Sequence, residues 1–223
     1  MAVEVLGISG SPIPNSNTDR AVRHVLDQTG LSTRFVKLSE LEVAPCRACL
    51  GCVEGNQCVV DDDGRSLAAM FHEAPAFVLG AYTPYSSLDA RTKAFMERMY
   101  CFRHRIGGNA GKFGVSVITT ACTPGAAGLP PAAETAASQI AFWMMEEGIT
   151  NLGSLVVLGN VPCIRCGYGD ECKVSGIKMI HGPEATVGSV GVHAFEDDES
   201  LMATPRELGG KIRRAVRGDA GSK

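Results

Sequence analysis

The chain has 223 residues, 45% of them hydrophobic and 20% charged, with a net charge of −3 at pH 7. This composition is typical of a globular domain, and the absence of a basic stripe excludes nucleic acid as an expected partner. The longest apolar runs, such as residues 74–82, are too short to span a bilayer. The first ten residues lack the basic start and apolar run of a signal peptide, so we expect a cytoplasmic protein.

Short apolar runs alternate with longer helical patterns, as in a parallel α/β sheet. Strands are predicted at Val3–Ile8, Arg34–Leu38, Ala76–Tyr82, Gly114–Thr119 and Ser154–Leu158. Apolar side chains that recur at three- and four-residue steps predict helices at Thr18–Gln28, Gly64–His72, Leu88–Arg103, Ala132–Glu147 and Pro205–Val216. The expected organisation is one domain over residues 1–217, followed by a polar tail at 218–223.

The first predicted strand runs into the loop S-G-S-P-I-P-N-S-N-T, residues 9–18, which leads directly into a helix. Such a loop exposes hydroxyls and backbone N–H groups at a helix N-terminus, where the helix dipole favours an anion. It contains neither the Gly-Lys-Ser/Thr of ATP-binding loops nor the G-x-G-x-x-G of dinucleotide-binding loops. The loop predicts a site for a terminal phosphate monoester. The alternative is a simple helix cap formed by Ser16 or Asn17.

Four cysteines follow in the segment C-R-A-C-L-G-C-V-E-G-N-Q-C, residues 46–58. In a reducing cytosol, clustered cysteines favour a metal over disulfides. The C-x2-C-x2-C-x5-C spacing suits a cubane cluster, whereas zinc ribbons usually pair two C-x2-C segments that lie far apart in sequence. We therefore predict a [4Fe–4S] cluster, with zinc or metal-free thiols as alternatives; the predicted ligands are Cys46, Cys49, Cys52 and Cys58.

The S-x-S-x-x-x-x-S-N-T loop after an N-terminal strand resembles that of the NADPH-dependent FMN reductase and flavodoxin-like superfamily. Followed by P-C-R-A-C-L-G-C-V-E-G-N-Q-C-V-V-D-D-D, the chain resembles more narrowly the iron–sulfur flavoproteins of anaerobic prokaryotes. The resemblance covers about residues 1 to 160. It implies a flavodoxin-like α/β fold, with a doubly wound five-stranded parallel sheet of order 2-1-3-4-5. It also implies FMN at the switch point between strands 1 and 3, and assembly into homodimers or homotetramers.

The same resemblance implies which residues contact FMN. The phosphate loop would contribute Ser9, Ser11, Pro12, Ser16, Asn17 and Thr18. The loop after the third strand would contact the ribityl chain and isoalloxazine ring, although its proline is displaced from the family pattern; its residues are Tyr82, Pro84, Tyr85, Ser86 and Ser87. The loop after the fourth strand would lie at the flavin edge through Thr119, Thr120, Ala121 and Cys122. For Cys122, a small buried hydrophobic side chain is an equal alternative.

Residues 160–204 form an irregular, glycine-rich insertion after the fifth predicted strand. It contains C-I-R-C-G-Y-G-D-E-C, which repeats the C-x2-C-x5-C spacing with Cys163, Cys166 and Cys172. Candidates for a fourth ligand are Asp170, His181 and a residue of another subunit. Because strands 2 and 5 are expected at opposite edges of the sheet, roughly 19 Å apart, the two cysteine groups should not share a metal within a subunit. A second metal site and redox-active or idle thiols both stay open.

The cysteine loop is expected to leave the carboxyl end of strand 2, at the same edge as the FMN loops. The predicted function is that of a flavin-dependent oxidoreductase: single electrons from a ferredoxin-like donor enter at the cluster, and FMN delivers pairs to a small-molecule acceptor. One alternative is an NAD(P)H-dependent FMN or quinone reductase with structural or vestigial cysteines, and another is a non-enzymatic metal-binding redox sensor. No catalytic side chain is identified, and residues 103–105 (Arg-His-Arg) are interpreted as charges at a helix end.

Overall fold

The computed structural model describes residues 2–122 and 128–218. At its centre is a five-stranded, all-parallel sheet of order β2-β1-β3-β4-β5, which confirms the predicted fold class. The strands are β1 (Val5–Ser9), β2 (Thr33–Lys37), β3 (Ala76–Tyr82), β4 (Phe113–Thr120) and β5 (Thr150–Leu158). Of the predicted polar tail, all but Gly218 lies outside the described residues.

Eight helices connect and follow the strands in the described part of the chain: α1 (Asn17–Thr29), α2 (Asp63–Glu73), α3 (Ala90–Arg98), α4 (Ala132–Glu146), α5 (Cys163–Cys166), α6 (Gly176–His181), α7 (Val187–Val190) and α8 (Ala203–Arg217). Helix α3 is shorter than the predicted Leu88–Arg103. It begins after Asp89, whose carboxylate caps it by accepting a hydrogen bond from the N–H of Thr92, and it continues as a 3₁₀ turn at Met99–Phe102. Within the described ranges, none of the helices has the length and apolar character that a membrane span requires.

Helices cover both faces of the sheet, so the inner strands are apolar on both sides. One face packs against α2, α3 and α4 around an aromatic cluster of Phe71, Phe77, Phe95 and Trp143. The other face packs against α1 and α8 through aliphatic side chains. Helix α1 lies very close to the sheet, because a Cβ on Gly80 would stand 2.5 Å from Cγ2 of Val22. This close packing fixes the N-terminus of α1 at the carboxyl edge of the sheet.

The strand register places three loops side by side at that edge. Ser9 at the end of β1 pairs with Gly80 of β3, and Tyr82 at the end of β3 pairs with Thr119 of β4. The loops that follow β1, β3 and β4 therefore begin next to one another, at the carboxyl ends of adjacent strands. All three segments predicted to contact FMN lie there.

The insertion between β5 and α8 consists of the short helices α5, α6 and α7 and two 3₁₀ turns, at Phe195–Asp197 and Glu199–Met202. It is anchored to the domain by Phe195, which is 1% exposed and packs into the core on the α1 and α8 side. Phe195 thus packs the end of the insertion against the α1 side of the sheet.

Candidate functional site

The loop from β1 to α1 ends in a complete capping box. Ser16 Oγ accepts a hydrogen bond from the N–H of Asp19 at 3.1 Å, and the Asp19 carboxylate accepts one from the N–H of Ser16 at 3.2 Å. Asn17 and Thr18 are the first two residues of the helix, so their N–H groups have no carbonyl partner within it. These N–H groups and the helix dipole make the start of α1 suited to an anion.

A buried ion pair supports this loop from beneath. Lys37 Nζ lies 2.6 Å from Asp19 Oδ2, and both side chains are nearly inaccessible to solvent. Asp19 also accepts a hydrogen bond from Ser9 Oγ at 2.6 Å, and Lys37 donates to the carbonyl of Ile13 at 2.9 Å. The pair therefore links the end of β2 to both halves of the loop. Sequence analysis missed this pair, because its two residues are 18 positions apart.

The Asn17 side chain is fully engaged with the segments around the insertion. Its Nδ2 donates to the carbonyls of Leu158 at 3.3 Å and His193 at 3.1 Å, and its Oδ1 accepts from the N–H of Phe195 at 3.3 Å. The Ser9 hydroxyl is likewise engaged with Asp19. Among the side chains of the predicted phosphate loop, several therefore serve to hold the loop in shape, which leaves backbone N–H groups as its main free donors.

The loop after β3 has an unusual backbone. Tyr85 and Ser86 have φ angles of 51° and 58°, a left-handed conformation that non-glycine residues rarely adopt. The Tyr85 side chain is fully exposed to solvent. The loop ends at Asp89, a buried carboxylate that accepts hydrogen bonds from the N–H groups of Thr92 and Tyr82. Backbone strain of this kind concentrates at ligand-binding segments.

Gly10 brings the loop after β1 into contact with the end of the loop after β3. A Cβ at this position would lie 2.1 Å from Thr92 Oγ1 and 2.7 Å from Asp89 Oδ1, so only glycine fits. Burial raises the pKa of Asp89, with the hydrogen bonds from Thr92 and Tyr82 opposing that effect. Its surroundings are therefore dry and closely packed.

Thr119 connects the loop after β4 to both other loops. Its Oγ1 accepts a hydrogen bond from Thr18 Oγ1 at 2.9 Å, and its carbonyl accepts one from Thr83 Oγ1 at 3.5 Å. Thr120 Oγ1 accepts from the N–H of Cys122 at 3.2 Å. Cys122 and its neighbour Ala121 are partly exposed rather than buried, which favours surface contact over the role of a core side chain.

The predicted cluster ligands Cys46, Cys49, Cys52 and Cys58 all line one small cavity. Their loop is curled by left-handed residues, with φ angles of 50° at Ala48 and 57° at Leu50. The N–H of Ala48 donates to Cys46 Sγ at 3.4 Å. Turns of this type direct N–H groups into an anion-binding concavity, as in many iron–sulfur sites. Among the described residues, no group of three or more Cys, His, Asp or Glu side chains has the geometry to hold a single metal ion.

The back of this cavity is closed by residues from the end of α3 and the turn that follows. Arg98 and Cys101 line it together with the four cysteines. Burial raises the pKa of Cys101 to about 12, so this thiol stays protonated at neutral pH. The Cys52 Sγ lies 3.1 Å from His104 Nε2, and burial raises the pKa of Cys52 as well. His104, interpreted from sequence as a helix-end charge, therefore lies beside a predicted ligand.

Arg98 supplies the positive charge of this site. Its guanidinium donates to both carboxylate oxygens of Asp62, at 2.6 and 2.8 Å, while its Nε is buried without a partner among the described residues. The hydrogen bond from Arg98 lowers the pKa of Asp62. Four thiols, inward N–H donors and a buried cation with a free donor fit an anionic iron–sulfur cluster.

The second cysteine group lies in the insertion that follows β5, the strand at the opposite edge of the sheet from β2. Cys163 and Cys166 occupy the single turn of α5, where the N–H of Gly176 donates to Cys163 Sγ at 3.3 Å and the N–H of Tyr168 to Cys166 Sγ at 3.5 Å. In the part of the chain that the structure describes, Cys172 does not form a three-ligand metal-binding group with Cys163 and Cys166. The group remains a candidate metal or redox-active thiol site.

Residues 3–153 match the NADPH-dependent FMN reductase family. Among proteins with similar sequences, an iron–sulfur flavoprotein of Methanocaldococcus jannaschii is 32% identical over 115 residues, which cover 48% of this chain and 60% of the relative. An iron–sulfur flavoprotein of Archaeoglobus fulgidus is 28% identical over 209 residues, covering 92% of this chain and 86% of the relative. The match to the first relative thus spans less than two thirds of its length.

Among solved structures, the Trp repressor binding protein of Bacillus subtilis superposes with a TM-score of 0.57 at 13% identity. The superposition covers 92% of this chain and 99% of the other. At this identity the likeness establishes the flavodoxin-like fold alone.

Proposed function

The chain belongs to the NADPH-dependent FMN reductase family, and from this premise we propose that it is a flavin-dependent oxidoreductase that binds both FMN and a [4Fe–4S] cluster. In this proposal, electrons from a ferredoxin-like donor reach FMN by way of the cluster and leave in pairs to a small-molecule acceptor. The observation that carries the proposal is the cavity lined by Cys46, Cys49, Cys52 and Cys58, with the buried Arg98 at its back.

For FMN, we propose that the phosphate binds at the start of α1. The N–H groups of Asn17 and Thr18 and the hydroxyl hydrogen of Ser11 are the donors that support this, since Ser9 and the Asn17 amide are engaged elsewhere. The rest of the flavin would lie against the two neighbouring loops, which include residues 82–87 and 119–122. The exposed, strained Tyr85 is available there to pack against a flat ring.

For the cluster, we propose Cys46, Cys49, Cys52 and Cys58 as ligands. When bound, the cluster supplies one-electron chemistry and FMN supplies two-electron chemistry. Cys46 and Cys49 are exposed, so this side of the loop gives an external carrier a short route to the site.

We also propose assembly into a homodimer or homotetramer. A groove of about 720 Å³ lies between α3 and α4, and Phe142 and Met145 on α4 are each 64% exposed. Such exposed apolar side chains are typical of protein–protein contacts.

The family match supports a second candidate, in which NAD(P)H reduces FMN directly and the cysteines have no electron-transfer role. Anaerobic stopped-flow absorbance distinguishes the two. The protein is mixed separately with reduced ferredoxin and with NADPH or NADH, and flavin and cluster bands are followed. We expect ferredoxin to bleach the cluster before or together with FMN, and nicotinamide to reduce FMN slowly.

Two serine variants sharpen this experiment. Cys49→Ser should greatly slow ferredoxin-driven flavin reduction while FMN stays bound, because other residues form the phosphate loop. Cys166→Ser is the matched control, since Cys166 is also the second cysteine of a C-x2-C pair, and it should leave that rate unchanged. Fast hydride transfer from NAD(P)H that survives Cys49→Ser would instead establish a flavin or quinone reductase.

A further inference from the structure

Arg98 is the largest fully buried side chain in the described chain, with 1% of its surface exposed. Its guanidinium is fixed from one side by the Asp62 carboxylate and by the carbonyl of Ala44, to which Nη1 donates at 3.0 Å. Gly64 allows this packing, because a Cβ there would lie 2.9 Å from the guanidinium Cζ. The orientation of the guanidinium is therefore set by the fold before any cofactor binds.

One nitrogen of the Arg98 guanidinium has no hydrogen-bond partner. Its Nε is buried and finds no acceptor among the described residues, whereas Nη1 and Nη2 both donate hydrogen bonds. Leaving a buried donor of a charged group unpaired is costly, so such a group in a native structure calls for a partner. Arg98 lines the same cavity as the four cysteines.

We propose that Arg98 is a positioning residue for the iron–sulfur cluster, with its Nε donating a hydrogen bond to a sulfur atom in this cavity and its charge raising the reduction potential. The inference rests on the proposed function, since it requires the cluster. It goes beyond that function by assigning the residue that sets the potential at which electrons enter.

The physical reason is the balance of charge at the site. A cubane held by four thiolates is anionic and gains one further negative charge on reduction. A nearby buried cation and an N–H···S hydrogen bond both stabilise the reduced form more than the oxidised form. Asp62 has the opposite sign and lies on the other side of the guanidinium, so its negative charge should lower the potential.

Redox titration of the anaerobically purified holoprotein, followed by EPR of the reduced cluster, tests the proposal with three variants. Arg98→Gln should shift the cluster midpoint to a more negative potential. Arg98→Lys, which keeps the charge but lacks the Nε donor, should shift it less in the same direction. Asp62→Asn should shift it to a more positive potential. If the Arg98–Asp62 pair had only a structural role, the Arg98 and Asp62 variants would not shift the midpoint potential in opposite directions. Shifts of the same sign, or no shifts, would therefore overturn the proposal.

A measurement without any change at Arg98 covers the case in which its variants do not fold. Protein carrying Arg47→Lys and Arg105→Lys is labelled with ¹⁵N-arginine, and the reduced cluster is studied by pulsed EPR. The two changes remove the labelled arginine within the cluster loop and the one that donates to the carbonyl of Glu54 in that loop. We expect a ¹⁵N hyperfine coupling from the Arg98 guanidinium. Its absence in an iron-loaded protein would overturn the role of Arg98 alone, whereas a wild-type protein that holds no cluster would contradict the proposed function itself.

Discussion

The side-chain amide of Asn17 donates a hydrogen bond to the main-chain carbonyl of His193 at 3.1 Å, across 176 positions of sequence. His193 is fixed in turn by Asn160, which both donates to its carbonyl and accepts from its N–H at 2.7 Å. The first residue of α1 and the end of the insertion thus share one set of hydrogen bonds. Order in the insertion and occupancy of the phosphate site should therefore be coupled.

Replacement of Asn17 by alanine tests this coupling. The loss of these hydrogen bonds, worth about 1–2 kcal/mol, should weaken FMN binding by roughly 5- to 30-fold and expose the insertion to protease. Fluorescence titration of the FMN-free protein and limited proteolysis measure the two effects. Asn160→Ala is the control, because it removes the hydrogen bonds between Asn160 and His193 and leaves the side chain of Asn17 on α1 unchanged. Unchanged FMN affinity in Asn17→Ala would mean that this side chain only holds the insertion.

The buried Lys37–Asp19 pair should be needed for stability as a pair. Lys37→Met leaves the Asp19 carboxylate buried without its cation, which should cost about 3–5 kcal/mol of unfolding free energy. Adding Asp19→Asn to that variant should recover much of the loss, since no unpaired charge remains. Urea unfolding of the FMN-free wild type, of Lys37→Met and of the double variant measures these free energies. A loss of under about 1 kcal/mol in Lys37→Met would contradict a structural role for the pair.

Gly10→Ala should disturb the flavin site without unfolding the domain. The added Cβ would clash with Thr92 Oγ1 and Asp89 Oδ1, which are buried and fixed, so the first loop must move. We expect FMN affinity to fall about tenfold or more, which corresponds to about 1.4 kcal/mol. Gly188→Ala, where a Cβ meets nothing closer than 3.9 Å, should bind FMN normally. Equal affinities in the two variants would place FMN away from Gly10.

The Arg98–Asp62 pair should make the protein sensitive to acid. Arg98 holds the pKa of Asp62 below its ordinary value of 3.8, so the contribution is fully present above that pH and is lost as pH falls through the lower folded-state pKa. Asp62→Asn should therefore be less stable than wild type near neutral pH, with a difference that shrinks in strong acid. Thermal unfolding from about pH 6 to about pH 3 measures this. A constant difference over that range would mean that Asp62 does not titrate with unfolding.

The strands and helices could be predicted because they depend on local patterns, whereas the order of the strands was implied by the family resemblance. Apolar runs of strand length, alternating with helical periodicity, are readable without knowing any tertiary contact. The loops at the carboxyl edge follow from the parallel arrangement, and the register of Ser9 with Gly80 confirms that they meet. The predicted length of α3 was wrong because Asp89 caps its start and the residues after Arg98 form a 3₁₀ turn, which apolar spacing alone does not distinguish from an α-helix.

The groups that complete the two sites could not be predicted, because their partners are distant in sequence. Arg98 pairs with Asp62 across 36 positions, and Lys37 pairs with Asp19 across 18. In the same way, the residues 9–18 pattern identifies a loop rich in donors, but the contacts of Asn17 with His193 decide which donors remain free. The sequence thus indicates which donors and acceptors a segment contains, and the folded structure determines which of them remain unpaired and able to bind a ligand.

The most direct test of the account is the cofactor content of protein purified under anaerobic, iron-replete conditions. We predict FMN rather than FAD on chromatography of the released flavin, with about four irons and four acid-labile sulfides per chain. Cys49→Ser should lower the iron content, while Cys101→Ala, which removes a thiol from the same cavity, should retain it. Stoichiometric zinc in place of iron, or iron content unaffected by Cys49→Ser, would contradict the assignment of this loop as the cluster site.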